Sequence, residues 1–131
     1  MNGKSHSRAE ILLIKAAEDE GVLRLPGLAS SIAGFHAQQA VEKMLKALLS
    51  AHSVEFERTH DLKRLAQALK AVGEALPAMP LPLSDLTGFA VVYRYDLAFS
   101  VVLPEIEDLL ETIRILREHI VARIAALSAA G

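Results

Sequence analysis

Apolar residues recur every three or four positions along most of this chain, and that spacing limits its possible folds more than any other feature. Between positions 106 and 127, Ile106, Leu109, Leu110, Ile113, Leu116, Ile120, Ile124 and Leu127 fall on one stripe of a helix. In "FHAQQAVEKMLKALL", Phe35 to Leu49, a rotation of 100° per residue gathers Ala37, Ala40, Val41, Met44, Leu45 and Leu48 on one side. His36, Gln39, Lys43, Lys46 and Ser50 collect on the other. A strand would alternate instead, and only the short "FSVVL" tempts that reading.

The same periodicity predicts a first helix from about Ser7 to Glu20, carried by Ala9, Leu12, Leu13, Ala16 and Ala17 and ended at "GVLRLPGL". A second covers roughly Leu28 to His52. A third carries Leu62, Leu65, Ala66, Leu69, Val72 and Leu76 and stops at Pro77, with Thr59 as its N-cap and Asp61 near the positive end of its dipole. "PAMPLPL" is excluded from helix by its three prolines. Ser84 is expected to cap a short, weak helix over "DLTGFAVVYRYD". Pro104 suits the first position of the last helix, which has Glu105, Glu107 and Asp108 in its opening turn. These elements, with no internal repeat, predict an all-α fold: an antiparallel up-and-down four-helix bundle with a short additional helix, one domain over 1–131.

Composition narrows the function. The chain has no cysteine, which removes disulfides, thiolate metal sites and thiol nucleophiles, and accords with a cytoplasmic location. No apolar run approaches the length of a membrane span, so a soluble protein with no membrane partner is expected. Apolar residues make up 52% of the chain and the mean hydropathy is +0.31, which leaves apolar surface for self-association. A net charge of −2 argues against nonspecific binding along nucleic-acid backbone. Between Pro77 and Thr112, Arg94 is the one cation among Asp85, Asp96, Glu105, Glu107, Asp108 and Glu111.

No dinucleotide, Walker-type, serine-hydrolase or zinc-protease motif is present, and no two of the five histidines are spaced to aim at one metal from a helix. No metal site and no cofactor are expected. Two short segments hold the candidate chemistry. In "THDL", Thr59 to Leu62, His60 and Asp61 could handle a proton or a phosphate, or could serve only as cap and packing. In "YRYD", Tyr93 to Asp96, Arg94 could grip a phosphate while the tyrosines stack on a base, or could pair with Asp96 while the rings fill the bundle end. Glu42 and Lys46 read as an ordinary surface i,i+4 pair.

"FHAQQAVEKMLKALL", followed about ten residues later by "THDL" and then by an arginine-tyrosine pair before the last helix, resembles the HEPN family, the higher eukaryotes and prokaryotes nucleotide-binding domain. The resemblance spans roughly Ala9 to Ala125. It implies a helical homodimer that binds a nucleotide or RNA or pairs with a minimal nucleotidyltransferase in a toxin-antitoxin system. The family's ribonuclease branch carries an arginine and, four to six residues on, a histidine near the start of the last helix. Here "YDLAFSVVL" follows Arg94 and contains no histidine. "RILREH", Arg114 to His119, has the spacing but lies inside the last helix, where residues five apart diverge by about 140°. The resemblance therefore implies a non-catalytic member with Arg94, Tyr95, His60 and Asp61 at the nucleotide. A metal-independent ribonuclease using Arg94 with His60 or His119, and a purely structural dimer, are the alternatives.

Overall fold

A computed structural model describes residues 7–56, 58–87 and 104–130. These form five helices and no strand: α1 (Arg8–Val22), α2 (Ser30–Ala51), α3 (Leu62–Ala71), α4 (Leu83–Thr87) and α5 (Ile106–Ala130). The all-α bundle expected from the periodicities is what the chain forms. "FSVVL", Arg94 and Tyr95 lie outside the described residues.

α2 is the central helix, packed against α1, α3, α4 and α5. Its predicted apolar side is the core: Ala37, Ala40, Val41, Leu45 and Leu48 are fully buried, and Met44 nearly so. Leu62, Leu65 and Leu69 of α3 and Leu109, Ile113, Leu116 and Ile120 of α5 close around it. Small residues at positions 33, 37 and 40 and larger ones at Leu45, Leu48 and Leu49 share this core along the length of α2.

Several boundaries differ from expectation for identifiable reasons. α1 begins one residue after Ser7, whose hydroxyl accepts from the Glu10 amide at 3.2 Å while the Glu10 carboxylate accepts from the Ser7 amide at 3.1 Å. This reciprocal capping box was legible as Ser-x-x-Glu in "SRAE". α3 is capped by Asp61 rather than Thr59: the Asp61 carboxylate accepts from the Lys63 amide, and the Thr59 hydroxyl accepts from the Asp61 amide, both at 3.0 Å. α3 also ends well before Pro77. Gly73 takes φ +86°, its amide donates to the Lys70 carbonyl, and the Glu74 amide reaches back to the Leu69 carbonyl, which is a Schellman closure. Ser84 lies within α4, whose first turn is closed by the Pro82 carbonyl accepting from the Asp85 amide at 3.0 Å. Pro104 falls just ahead of α5, and the Glu105 carbonyl accepts that helix's first amides.

α1 and α2 run antiparallel. Arg8 lies over the ring of Phe56, just beyond the end of α2, while Asp19 near the other end of α1 reaches His36 and Lys43. The connection 52–61 then doubles back, so α3 starts beside Glu42, where His60 is held, and Glu74 just after α3 meets His52. α3 therefore runs in the same sense as α2, and strict up-and-down alternation breaks there.

Candidate functional site

The polar side of α2 is not the wet side of the helix. Asp19, buried on α1, accepts from His36 Nδ1 at 2.9 Å and from Lys43 Nζ, so two residues of the stripe clamp α1 to α2. Glu42 corrects the reading of a surface pair. It is 4% exposed and accepts from Lys46 Nζ at 2.9 Å and, with both oxygens, from His60 Nδ1 at 2.9 and 3.1 Å.

Two further buried carboxylates repeat the arrangement. Glu20 of α1 accepts from Arg24 and from Arg117 of α5. Burial pushes its carboxyl up, but the hydrogen bonds and charges of Arg117 and Arg24 outweigh that and hold it below the ordinary value. Glu74 accepts from Arg123 Nε at 2.9 Å and Nη2 at 3.0 Å, and from His52 Nε2 at 2.7 Å. The Arg123 hydrogen bond is the largest influence and holds the Glu74 carboxyl below its ordinary value against the opposing effect of burial. Neither carboxylate was singled out from the sequence, because the partners lie 49 and 97 residues away.

Among these clusters, the one at "THDL" opens to solvent. The His60 side chain is 72% exposed although its Nδ1 is anchored on a carboxylate that is 5% exposed. It does not pack between helices. Asp61 and Lys63, directly after it, line a cleft of about 570 Å³ together with Ala66, Pro82, Leu83 and Ser84. On the other flank, Phe56, Thr59, Arg64 and Leu65 help line a smaller cleft of about 240 Å³. Lys46, also over the Phe56 ring at 5.7 Å, neutralises Glu42 from within.

His60 and Asp61 thus stand together at the start of α3. Arg94 and Tyr95 fall outside the described residues. His119 is apart from both: its Nε2 is enclosed within the fold with no hydrogen-bond partner among the described residues. Arg114 faces outward, held by Glu111 at 2.7 and 2.8 Å and by Glu118 at 3.0 Å. Arg114 and His119 share no hydrogen bond, in keeping with the angular divergence of their spacing. No group of three metal-ligating side chains occurs among the described residues, and no described helix is long and apolar enough to cross a membrane.

A buried acid thus holds the imidazole of an exposed histidine at the start of α3, where the following residues Asp61 and Lys63 line a cleft. The HEPN domain profile matches residues 27–124, about three quarters of the chain, and includes both α2 and "THDL". The chain belongs to the HEPN family. No curated protein and no solved structure matches it.

Proposed function

We propose that this HEPN chain is a non-catalytic homodimer that binds a nucleotide or RNA at the start of α3, and that it pairs with a minimal nucleotidyltransferase in a toxin-antitoxin type system. His60 and Asp61 face the ligand, with Arg94 supplying the phosphate contact and Tyr95 a stacking surface. The observation that carries this reading is the exposed His60, held by buried Glu42 and followed in the chain by Asp61 and Lys63, which line a cleft. Family membership supports the ligand class, and the absence of histidine from "YDLAFSVVL" after Arg94 supports binding without cleavage.

The same observation favours one alternative, a metal-independent ribonuclease with Arg94 and His60, since a carboxylate that orients an imidazole is also how a general base is prepared. His119 is the weaker partner for that role because its Nε2 is enclosed.

Wild-type and Arg94→Ala protein incubated with structured RNA in EDTA separate these readings. Binding that weakens at least about tenfold in the variant, with the RNA intact, is the expected result for a charge-assisted phosphate contact. Cleavage that disappears with Arg94 would overturn the non-catalytic reading, and equal binding without cleavage would leave a structural dimer. Light scattering should give about twice the 14.2 kDa chain mass; a monomer at micromolar concentration removes the dimer.

A further inference from the structure

Large apolar side chains exposed one at a time are ordinary on a protein surface; several side by side mark a contact. Among the described residues Ile11, Ile14, Leu25 and Val121 are the exposed ones. Ile11 and Ile14, 44% and 47% exposed, lie three residues apart on the side of α1 opposite its buried Ala9 and Ala16. Val121, 46% exposed, joins them from α5. Arg117 of α5 reaches Glu20 near the end of α1, while Ile124, Leu127 and Ser128 share a cleft with Ser7 and Ala9 at its start. α5 therefore runs antiparallel beside α1, and counting from those two contacts brings Val121 level with Ile14. Val121 is also one turn on from Arg117, on the flank of α5 that faces α1.

The charges bordering this patch select what covers it. With Ile11 and Ile14 as the seam positions of a heptad, Glu10 directly precedes the seam and Lys15 directly follows it, the two positions from which paired helices form salt bridges. In a parallel pair of α1 helices, each Glu10 falls beside Lys15 of the other copy on both flanks of the seam. An antiparallel pair would instead set Glu10 on the flank of Glu10 and Lys15 on the flank of Lys15. Lys15 has no ion pair with any described residue. Glu10 accepts the Ser7 amide with one oxygen, and a carboxylate accepts at both. Glu18, next along the seam, would meet its own copy, so the contact closes after Lys15 and the two axes splay beyond it.

We propose that two copies of this chain associate through the outward faces of α1, packed in parallel about a two-fold axis. Ile11 and Ile14 form the seam, Glu10 pairs with Lys15 of the second copy, and Val121 lies at the margin. The proposal rests on the homodimer reading above and adds the surface that forms it.

Sedimentation equilibrium over a concentration series tests it, with circular dichroism confirming that each variant is folded. Ile14→Glu should weaken the dimer at least about tenfold, because each copy would bury a charge at the seam. Ile14 is exposed in the single chain, so its helix content should persist. Lys15→Glu should weaken the dimer about threefold, and adding Glu10→Lys should recover it, since the exchange recreates both pairs. The chain has no cysteine, so an introduced one reports orientation directly. A parallel seam sets position 14 against its own copy, and Ile14→Cys should form an intermolecular disulfide under mild oxidation where Leu25→Cys does not. Weakening by Ile14→Glu without that cross-link overturns the parallel arrangement. A dimer indifferent to Ile14→Glu assigns the patch to a different protein and overturns this interface while leaving the homodimer in place. A wild-type monomer throughout the series overturns both.

Discussion

Residues 53 and 74 show how single positions set local geometry in this protein. α2 ends with Ser53 at φ 58°, its amide donating to the Ser50 carbonyl and the Val54 amide to the Leu49 carbonyl. That is the closure that ends α3 at Gly73, but with a side chain where glycine is favoured. Ser53→Gly should therefore raise the free energy of unfolding by about 0.5–1 kcal/mol in urea denaturation, relief of the left-handed conformation exceeding glycine's added unfolded-state entropy. At Glu74 the prediction is a pH dependence. Its folded carboxyl sits below the ordinary value of 4.5, so its contribution is complete above that value and is lost as pH falls through the lower folded one. Stability measured from pH 7 down to pH 3 should decline in wild type, and the decline should be shallower in Glu74→Gln. An identical slope in both proteins would show that the Arg123 pairing does not bear on acid stability.

At the scale of elements, the start of α3 is decided by a cap and a tether. Asp61→Ala removes the acceptor for the Lys63 amide and should cost about 1 kcal/mol in thermal or urea unfolding. Thr59→Ala should cost less, because the Thr59 hydroxyl serves the Asp61 amide outside the helix. The reverse order would restore Thr59 as the cap. The sequence allowed either choice, since both residue types cap well. Only the return of the chain along α2, which brings His60 onto Glu42, settles which residue is first in the helix. By contrast, the Ser7 and Glu10 box and the Gly73 stop are local patterns that depend on nothing further along the chain.

For the whole molecule, α2 is the element on which everything else is assembled. Ala40 is fully buried among apolar neighbours, and Ala40→Leu should cost about 1–3 kcal/mol through overpacking, seen as a lowered urea midpoint with unchanged slope. A neutral result would mean that the helices around α2 can move apart. The four clamps at Asp19, Glu20, Glu42 and Glu74 tie α1, α3 and α5 to this frame, three of them through cations on other helices or connections more than 20 residues away in sequence. They join points that the hydrophobic core alone would leave free to slide.

The sequence by itself determined the helices, their buried faces and the family, because apolar spacing and the order of "FHAQQAVEKMLKALL" and "THDL" are local properties of a helix-forming chain. It also showed that no histidine follows Arg94 in "YDLAFSVVL". The tertiary structure alone decided that His36, Lys43 and Lys46 of the polar stripe of α2 hold carboxylates and that Glu42 is buried. It also decided that His60 is held by one nitrogen and presents the other. Those facts depend on which helices meet, and a charged residue reads the same in sequence whether its partner is water or an arginine 97 residues away.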